Sequence, residues 1–361
     1  MEIKGSATTA DLHLRNYIWS SRPRIKDDAI ISMQYVFDYC IQNRLSLKLA
    51  GDIFHTLAVL PDFVAPLFAC LDRMQEANLP VYYIQGNHDN NMTPWLSLHK
   101  WPISLEGITQ EIKGTNEIIH GIGYTDSDSL VERLKLVSKD KAINTLLMHQ
   151  AEKQAMPFNH NFELSWVPDN IRLVLIGDIH KAQSYSLGRT NLIYPGSPSV
   201  TDISQVETRT FTVETAEGAN TIARFEQIPG RGVYRIDVKT DNDIPKAIEE
   251  VKRVAATDKR YFNLEPIVRI VYAPALSEKV SQIFLPMRDA FSVYTWLDVK
   301  SAEDSLQHTF QCTSSTQDRV NVMHKVISDN VPDPLLRDIL MRLFSEEDTQ
   351  AILMPELEKI L

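Results

Sequence analysis

Cysteine is nearly absent. Cys40, Cys70 and Cys312 are the only three in 361 residues, far apart and odd in number, which excludes a disulfide framework and a thiolate zinc motif. They read as small buried apolar residues. No run approaches the ~18 apolar residues of a membrane-spanning helix, and the N-terminal MEIKGSATTADLH has no apolar leader core. A cytoplasmic protein without a membrane partner is therefore expected. Positive charge is also short. A net charge of −10 argues against a protein that coats nucleic acid by charge alone, although an acidic metal site attracts phosphate once cations load. No loop ending in Gly-Lys-Ser/Thr is found, so any ATP hydrolysis belongs to another protein. Internal repeats and low-complexity tracts are missing too.

What is present is a series of Asp, Asn and His clusters, mostly at the ends of expected strands. Asp11-x-His13 comes first, then Gly51-Asp52-Ile53-Phe54-His55. Gly86-Asn87-His88-Asp89 follows the apolar run Val81-Tyr82-Tyr83-Ile84. Leu147-Met148-His149-Gln150 and Gly177-Asp178-Ile179-His180 complete the series. A lone D-x-H is common by chance, whereas G-N-H-D after a strand arises in about one such chain in a thousand. Mixed carboxylate, amide and imidazole donors without thiolate suit manganese or iron better than a thiolate-selecting metal.

At 361 residues, 43% hydrophobic and 23% charged, the chain is long enough for two or three globular units. The spacing predicts helices over 27–44, 61–76 and 129–138. Strands are expected at 45–49, 81–85, 145–148 and 172–176, and a β-rich stretch from 185 to 228. Alternating strands and helices with ligands at strand ends make an α/β layered fold. Pro229-Gly230-Arg231-Gly232 marks a boundary. Beyond it, strands at 233–238, 267–272 and 293–297 alternate with helices at 244–255 and 277–288. Residues 301–315 are polar and linker-like. Helices follow from Gln317, broken by Pro332, Pro334 and Pro355, with an apolar stripe of Leu335, Leu336, Ile339, Leu340, Leu343 and Phe344.

The ordered motifs resemble those of the calcineurin-like metallophosphoesterase superfamily: D-x-H, G-D, G-N-H-D, a lone His, then G-H-x-H. The last departs, with Asp178 where the first His is expected. The resemblance implies an α/β (α+β) fold, a β-sandwich of two mixed sheets flanked by helices, and two divalent ions, most of all manganese with magnesium as the other candidate. Position by position, it implies Asp52 as the bridge, Asp11, His13 and His180 around one ion, and Asn87, His149 and Asp178 around the other. Asp178 would tilt its ion site toward harder cations. His88 would stabilise the transition state or protonate the leaving oxygen, Asp89 would orient its ring, and His55 would be a second active-site imidazole. His99, His120, His160, His308 and His324 match no motif and read as structural.

G-D-I-F-H, Gly177-Asp178-Ile179-His180-Lys181-Ala182-Gln183 and Tyr194-Pro195-Gly196-Ser197 are similar to the SbcD-like branch, the nuclease subunits of double-strand-break repair and recombination. Phage recombination endonuclease subunits of that branch are as compact, and a phage protein would work in the host cytoplasm. The implied layout is a nuclease core (1–229), an αβ capping, DNA-positioning domain (230–300), a linker (301–315) and helices (316–361) that dock an SbcC-like coiled-coil ATPase. The implied activity is double-strand exonuclease and single-strand endonuclease cleavage of DNA. Arg15, Arg22, Arg24 and Lys26, interleaved with Tyr17 and Trp19, and Lys181 are candidate DNA contacts. A homodimer would form through helices near 60–76 and 91–101, with Leu67, Phe68, Leu71, Trp95, Leu98 and Trp101 as candidate surface. The alternatives are a phosphatase or cyclic-nucleotide phosphodiesterase of the same superfamily, and a non-catalytic scaffold weakened at Asp178.

Overall fold

The computed structural model describes residues 2–14, 28–56, 58–89, 95–201, 205–257, 264, 266–287 and 293–297, the last segment as backbone only. The chain divides into Met1–Trp296 and Leu297–Leu361. Beyond Leu297 the second unit lies outside the described residues, with the expected linker, docking helices and Cys312.

The strands are β1 (Gly5–Thr9), β2 (Leu45–Ala50), β3 (Val81–Ile84), β4 (Ile103–Ser104), β5 (Thr109–Glu111), β6 (Ile118–Ile122), β7 (Thr145–His149) and β8 (Leu173–Gly177). They continue with β9 (Gln183–Leu187), β10 (Thr190–Tyr194), β11 (Thr210–Glu217), β12 (Asn220–Gln227), β13 (Val233–Val238), β14 (Ile267–Tyr272) and β15 (Val293–Leu297). One six-stranded sheet has the order β12-β11-β1-β2-β3-β4, with β1 to β4 parallel and β11 and β12 antiparallel. The other runs β5-β6-β7-β8-β10-β9, with β6, β7, β8 and β10 parallel between antiparallel edges. They pack face to face over Ala10, Ala50, Ile84, Leu105, Ile119, Leu147 and Leu175.

Helices cover the outer faces. In α1 (Asp28–Asn43), Met33, Val36, Phe37 and Cys40 recur at helical spacing and are buried. α2 (Pro61–Glu76) starts on a proline, whose fixed φ suits a first turn, and buries Phe63, Val64, Leu67, Cys70, Leu71 and Met74 beside it. The short α3 (Trp95–Leu98) follows. α4 (Ser127–Val137) begins two residues earlier than its apolar spacing suggests, because the Asp126 side chain accepts from Ser129 N–H at 2.9 Å and caps it. It lays Leu130, Leu134 and Val137 on the second sheet.

Two residues expected at a dimer surface do not reach one. Leu67 and Leu71 are fully buried in the chain's own core, and Phe68, Trp95 and Trp101 pack partly against it. Leu98 alone of the six is largely exposed.

The segment after 232 forms a third sheet, β13-β14-β15, with α5 (Ile244–Thr257) and α6 (Ser277–Phe284) around Val238, Val251, Val254, Val268, Ile270 and Phe284. α6 ends four residues short of the expected 288. Just before β13 a buried bidentate ion pair ties the chain to the start of α1: Nε and Nη2 of Arg231 each donate to Asp28 at 2.8 Å.

Candidate metal centre

Five parallel strands deliver the five motifs from their carboxyl ends: β1 to Asp11 and His13, β2 to Asp52, β3 to Asn87, β7 to His149 and β8 to Asp178 and His180. Parallel strands present loops of the same sense on one rim, which is where such sheets place their sites. The turns are sharp. Asp11 (φ 54°), His13 (φ 44°), Asp52 (φ 52°) and Asp178 (φ 92°) all occupy the left-handed region. Non-glycine residues hold that conformation at a cost, and such residues concentrate at functional sites. The remaining left-handed non-glycines among the described residues are Arg44 and Asn78, which follow α1 and α2. Close approach requires glycine too: a Cβ on Gly86 would strike the Asp52 carboxylate, and one on Gly51 the His149 ring.

Two donor clusters result. Asp11, His13 and His180 form one, and Asp11, Asp52 and His149 form the other. Nε2 of His13 is 2.9 Å from Nε2 of His180 and 3.6 Å from Oδ2 of Asp52. Nε2 of His149 is 3.5 Å from Oδ1 of Asp52 and 3.9 Å from Oδ1 of Asp178. The inward atom of the Asn87 amide lies 3.1 Å from Nε2 of His149 and 3.2 Å from both Asp52 oxygens. With its oxygen inward that amide faces the two Asp52 oxygens, an acceptor against acceptors, which a cation between them would relieve.

The rings are set for ligation from behind. His149 Nδ1–H donates to the Ala50 carbonyl at 2.8 Å, leaving Nε2 to face the cluster. His180 Nδ1 lies 2.9 Å from the Thr201 hydroxyl and 3.2 Å from Nε2 of Gln205. His13 Nδ1 lies 3.1 Å from Nδ1 of His55. The Tyr194-Pro195-Gly196-Ser197 turn braces the same region: the Ser197 hydroxyl donates to the Asp11 carbonyl at 2.8 Å, and the Tyr194 hydroxyl to the Gln150 carbonyl at 2.8 Å.

The electrostatics are those of a site short of positive charge. Burial pushes Asp11 up to about 8; His149 opposes this, while Asp52 and Asp178 add to it. Oδ2 of Asp11 is buried without a hydrogen-bond partner. Burial works against charge on His149, yet Asp52, Asp11 and Asp178 together hold it at about 10. Asp52 is likewise penalised by burial but held at about 2, chiefly by His149. Burial drives His13 down to about 2 and His180 to about 4. Clustered carboxylates, an orphaned buried oxygen and neutral imidazoles fit two divalent cations.

His88 stands beside the cluster. Its Nε2 is 4.0 Å from Oδ2 of Asp52, and its ring stacks on that of His55 at 4.6 Å between centroids. The expected orienting role of Asp89 is corrected. The Asp89 carboxylate accepts from the N–H groups of Gly86 (3.0 Å), Ile53 (3.2 Å) and Phe54 (3.0 Å), tying the two loops together. His88 Nδ1–H instead donates to the His55 carbonyl at 2.9 Å. Backbone N–H groups on adjoining turns offer a buried carboxylate its nearest donors.

Lys181 is exposed. Arg15, Arg22, Arg24 and Lys26 lie outside the described residues, as do His308 and His324. His99 meets Asp72 (3.1 Å) and His120 meets Thr109 (2.9 Å), away from the centre, while His160 sits 3.8 Å from Glu163. Thr201, Gln205, Glu106 and Tyr124 lie in none of the sequence motifs, yet they contact the turns that carry them.

No protein-family model matches the chain. It is similar to the DNA double-strand break repair protein Mre11 of Methanosarcina mazei, 25% identical over 67% of this chain and 41% of that one. The protein of the same name from Saccharolobus solfataricus is 21% identical over 92% of this chain and 97% of its own length. A putative 5'-nucleotidase structure from Staphylococcus aureus covers 70% of this chain and 58% of its own at 15% identity, with a TM-score of 0.40. The chain spans about two fifths of the two Methanosarcina relatives it matches, 41% and 40%. Two mixed sheets flanked by helices, with Asp, Asn and His turns on one rim, define a metallophosphoesterase of the calcineurin-like superfamily. Within that class the chain is similar to the Mre11 proteins. The fold implies a dinuclear metal site. Among the described residues no helix is long and apolar enough to cross a membrane.

Proposed function

We propose that this chain is a dinuclear-metal DNA nuclease, with manganese as the preferred ion, that hydrolyses phosphodiester bonds in recombination and repair. The observation that carries the reading is the convergence of Asp11, His13, Asp52, Asn87, His149, Asp178 and His180 on one rim, with His88 beside them. The names of the Mre11 relatives support DNA as substrate.

Asp52 would bridge, with Asp11, His13 and His180 toward one ion and Asn87, His149 and Asp178 toward the other. When bound, such ions neutralise the phosphodiester oxygens and make water a nucleophile near neutral pH. The chain's own residues do the rest. His149 and His180 are held by their rear nitrogens. His88, anchored through Nδ1 on the His55 carbonyl, directs Nε2 toward the centre, where it can hold a proton for the leaving oxygen. His55 backs both His88 and His13.

The core would span 1–229 and the αβ cap 230–300, followed by the 301–315 linker. Helices within 316–361 would dock an SbcC-like coiled-coil ATPase, and the nuclease would work as a homodimer. Duplex ends would be digested exonucleolytically and single strands cut internally, with the basic segment 15–26 and Lys181 touching phosphates.

Manganese-dependent digestion of end-labelled duplex and single-stranded DNA, wild type beside His88→Ser, tests the reading. Degradation by wild type alone supports it. Hydrolysis of small phosphoesters but of no DNA, even with the ATPase partner present, would overturn it in favour of a phosphatase. Fewer than two ions bound per chain would point to the scaffold.

A further inference from the structure

Tyr124 follows β6 and is 49% exposed, yet it is firmly placed. Its N–H donates to the Gln85 carbonyl at 2.9 Å, two residues before Asn87. The preceding Gly123 donates its N–H to Glu106 at 3.1 Å, and the same carboxylate accepts from Gln85 N–H at 2.7 Å. Gln150, next to His149, donates to the Gly123 carbonyl at 3.3 Å. A Cβ on Gly123 would strike Glu106 and come within 2.8 Å of the Gln85 carbonyl, so this approach requires glycine. The peptide carrying Tyr124 is thus tied to both ligand-bearing strand ends, β3 and β7. The Tyr124 ring centroid stands 6.4 Å from that of His149, with the planes at 70°.

A single exposed tyrosine is ordinary. One whose backbone is tied to two ligand-bearing turns, and whose ring borders a ligand's ring, is a surface positioned relative to the chemistry. The ring is uncharged and has nothing to offer a phosphate beyond its hydroxyl. Its face suits what lies one step along the chain from a phosphate, a deoxyribose or a base.

We propose that Tyr124 is the stacking platform for the nucleoside adjoining the scissile phosphate. This deepens the nuclease reading and rests on it. Every base has a π-face, so an aromatic platform binds nucleic acid without selecting sequence, and it gives the site a reason to prefer nucleotide diesters over small ones.

The test compares wild type, Tyr124→Phe and Tyr124→Ala, as full chains loaded with manganese, on a single-stranded oligodeoxynucleotide and on methyl p-nitrophenyl phosphate, which carries no nucleoside. Tyr124→Ala should raise KM for the oligonucleotide by roughly fivefold to a hundredfold, Tyr124→Phe should stay near wild type, and all three should hydrolyse the small diester alike. An equal loss on both substrates would make Tyr124 a structural residue, and no loss on either would remove it from the substrate path; each outcome overturns the inference. If wild type cleaves the small diester and not DNA, the nuclease reading falls first and this inference with it.

Discussion

His13 and His180, carried by opposite sheets, bring their Nε2 atoms to 2.9 Å from one another. Two imidazole lone pairs at that separation need a proton or a cation between them. Burial holds both rings neutral, His13 at about 2 and His180 at about 4, so this half of the centre is ready to ligate. The other half is not. Asp11 at about 8 and His149 at about 10 are raised, so each carries a proton at neutral pH. Those protons leave only as pH climbs through these values or as an ion displaces them. Metal loading near pH 7 should therefore release roughly one to two protons per chain, and affinity should strengthen as pH rises from about 6 to about 9. Calorimetric titration with manganese in buffers of different ionisation enthalpy measures this, and an enthalpy independent of buffer would contradict it.

His88 approaches Asp52 no closer than 4.0 Å through its Nε2 and is anchored by the His55 carbonyl. Removing it should spare the metals and harm the chemistry. His88→Ser should bind two ions with near wild-type affinity and lose about 10²–10⁴-fold in kcat, the usual worth of a positioned proton donor. Loss of metal together with activity would make His88 a ligand instead.

Asp178 occupies a left-handed turn (φ 92°) with its Oδ1 3.9 Å from Nε2 of His149. Asp and His both tolerate that conformation better than most residues, so Asp178→His should fold. Replacing a carboxylate by an imidazole removes negative charge and hardness, which should shift metal preference away from magnesium and toward borderline ions. The ratio of magnesium- to manganese-supported hydrolysis checks this, and an unchanged ratio would show that Asp178 does not set the preference.

The Thr201 hydroxyl, 2.9 Å from Nδ1 of His180, fixes that ring from behind. Thr201→Val keeps the shape and deletes the nearer of the ring's two rear partners, leaving Gln205 at 3.2 Å, so metal affinity should fall by roughly 10-fold while the melting temperature with no metal added barely moves. Equilibrium dialysis gives the affinity, and an unchanged value would leave the Thr201 contact incidental.

The Asp, Asn and His motifs were legible through their residue types and order, and α1 and α2 because their apolar residues recur at helical spacing. β1 was not. Gly5-Ser6-Ala7-Thr8-Thr9 has one apolar side chain with any bulk to bury, yet all five residues are buried. The Ser6 and Thr8 hydroxyls donate to Glu117 and Glu214 from within the sandwich. β4, β5 and β6 were also unread; the first two are only two and three residues long. Thr201, Glu106 and Tyr124 reach the centre through crossovers of twenty residues and more, and local spacing carries no trace of that. The role expected of Asp89 failed for a local reason, since neighbouring turns supplied backbone donors closer than the ring.

The Leu45-Ser46-Leu47-Lys48-Leu49 alternation has the period of a strand, but both faces are buried. Lys48 is completely buried, with Nζ donating to Glu117 at 2.7 and 2.8 Å and lying 3.3 Å from Glu214. One cation thus serves two carboxylates between the sheets. Burial raises Glu214, with Lys48 opposing and Glu117 adding to the shift. Lys48→Met would leave both carboxylates without their cation, and breaking such a buried group costs about 3–5 kcal/mol. The sign with pH follows from the raised carboxylate. Its folded pKa lies above the unfolded one, so the folded state loses stability as pH rises through that value, and more so when Lys48 is gone. The gap in unfolding free energy between wild type and Lys48→Met should therefore be wider at pH 8 than at pH 5, since lower pH favours the protonated form of the Glu214 carboxyl. Adding Glu214→Gln to Lys48→Met should recover part of the loss at pH 8. Urea unfolding at the two pH values measures all three proteins, and a gap that stayed constant with pH would mean that Lys48 stabilises the sandwich by packing rather than by charge.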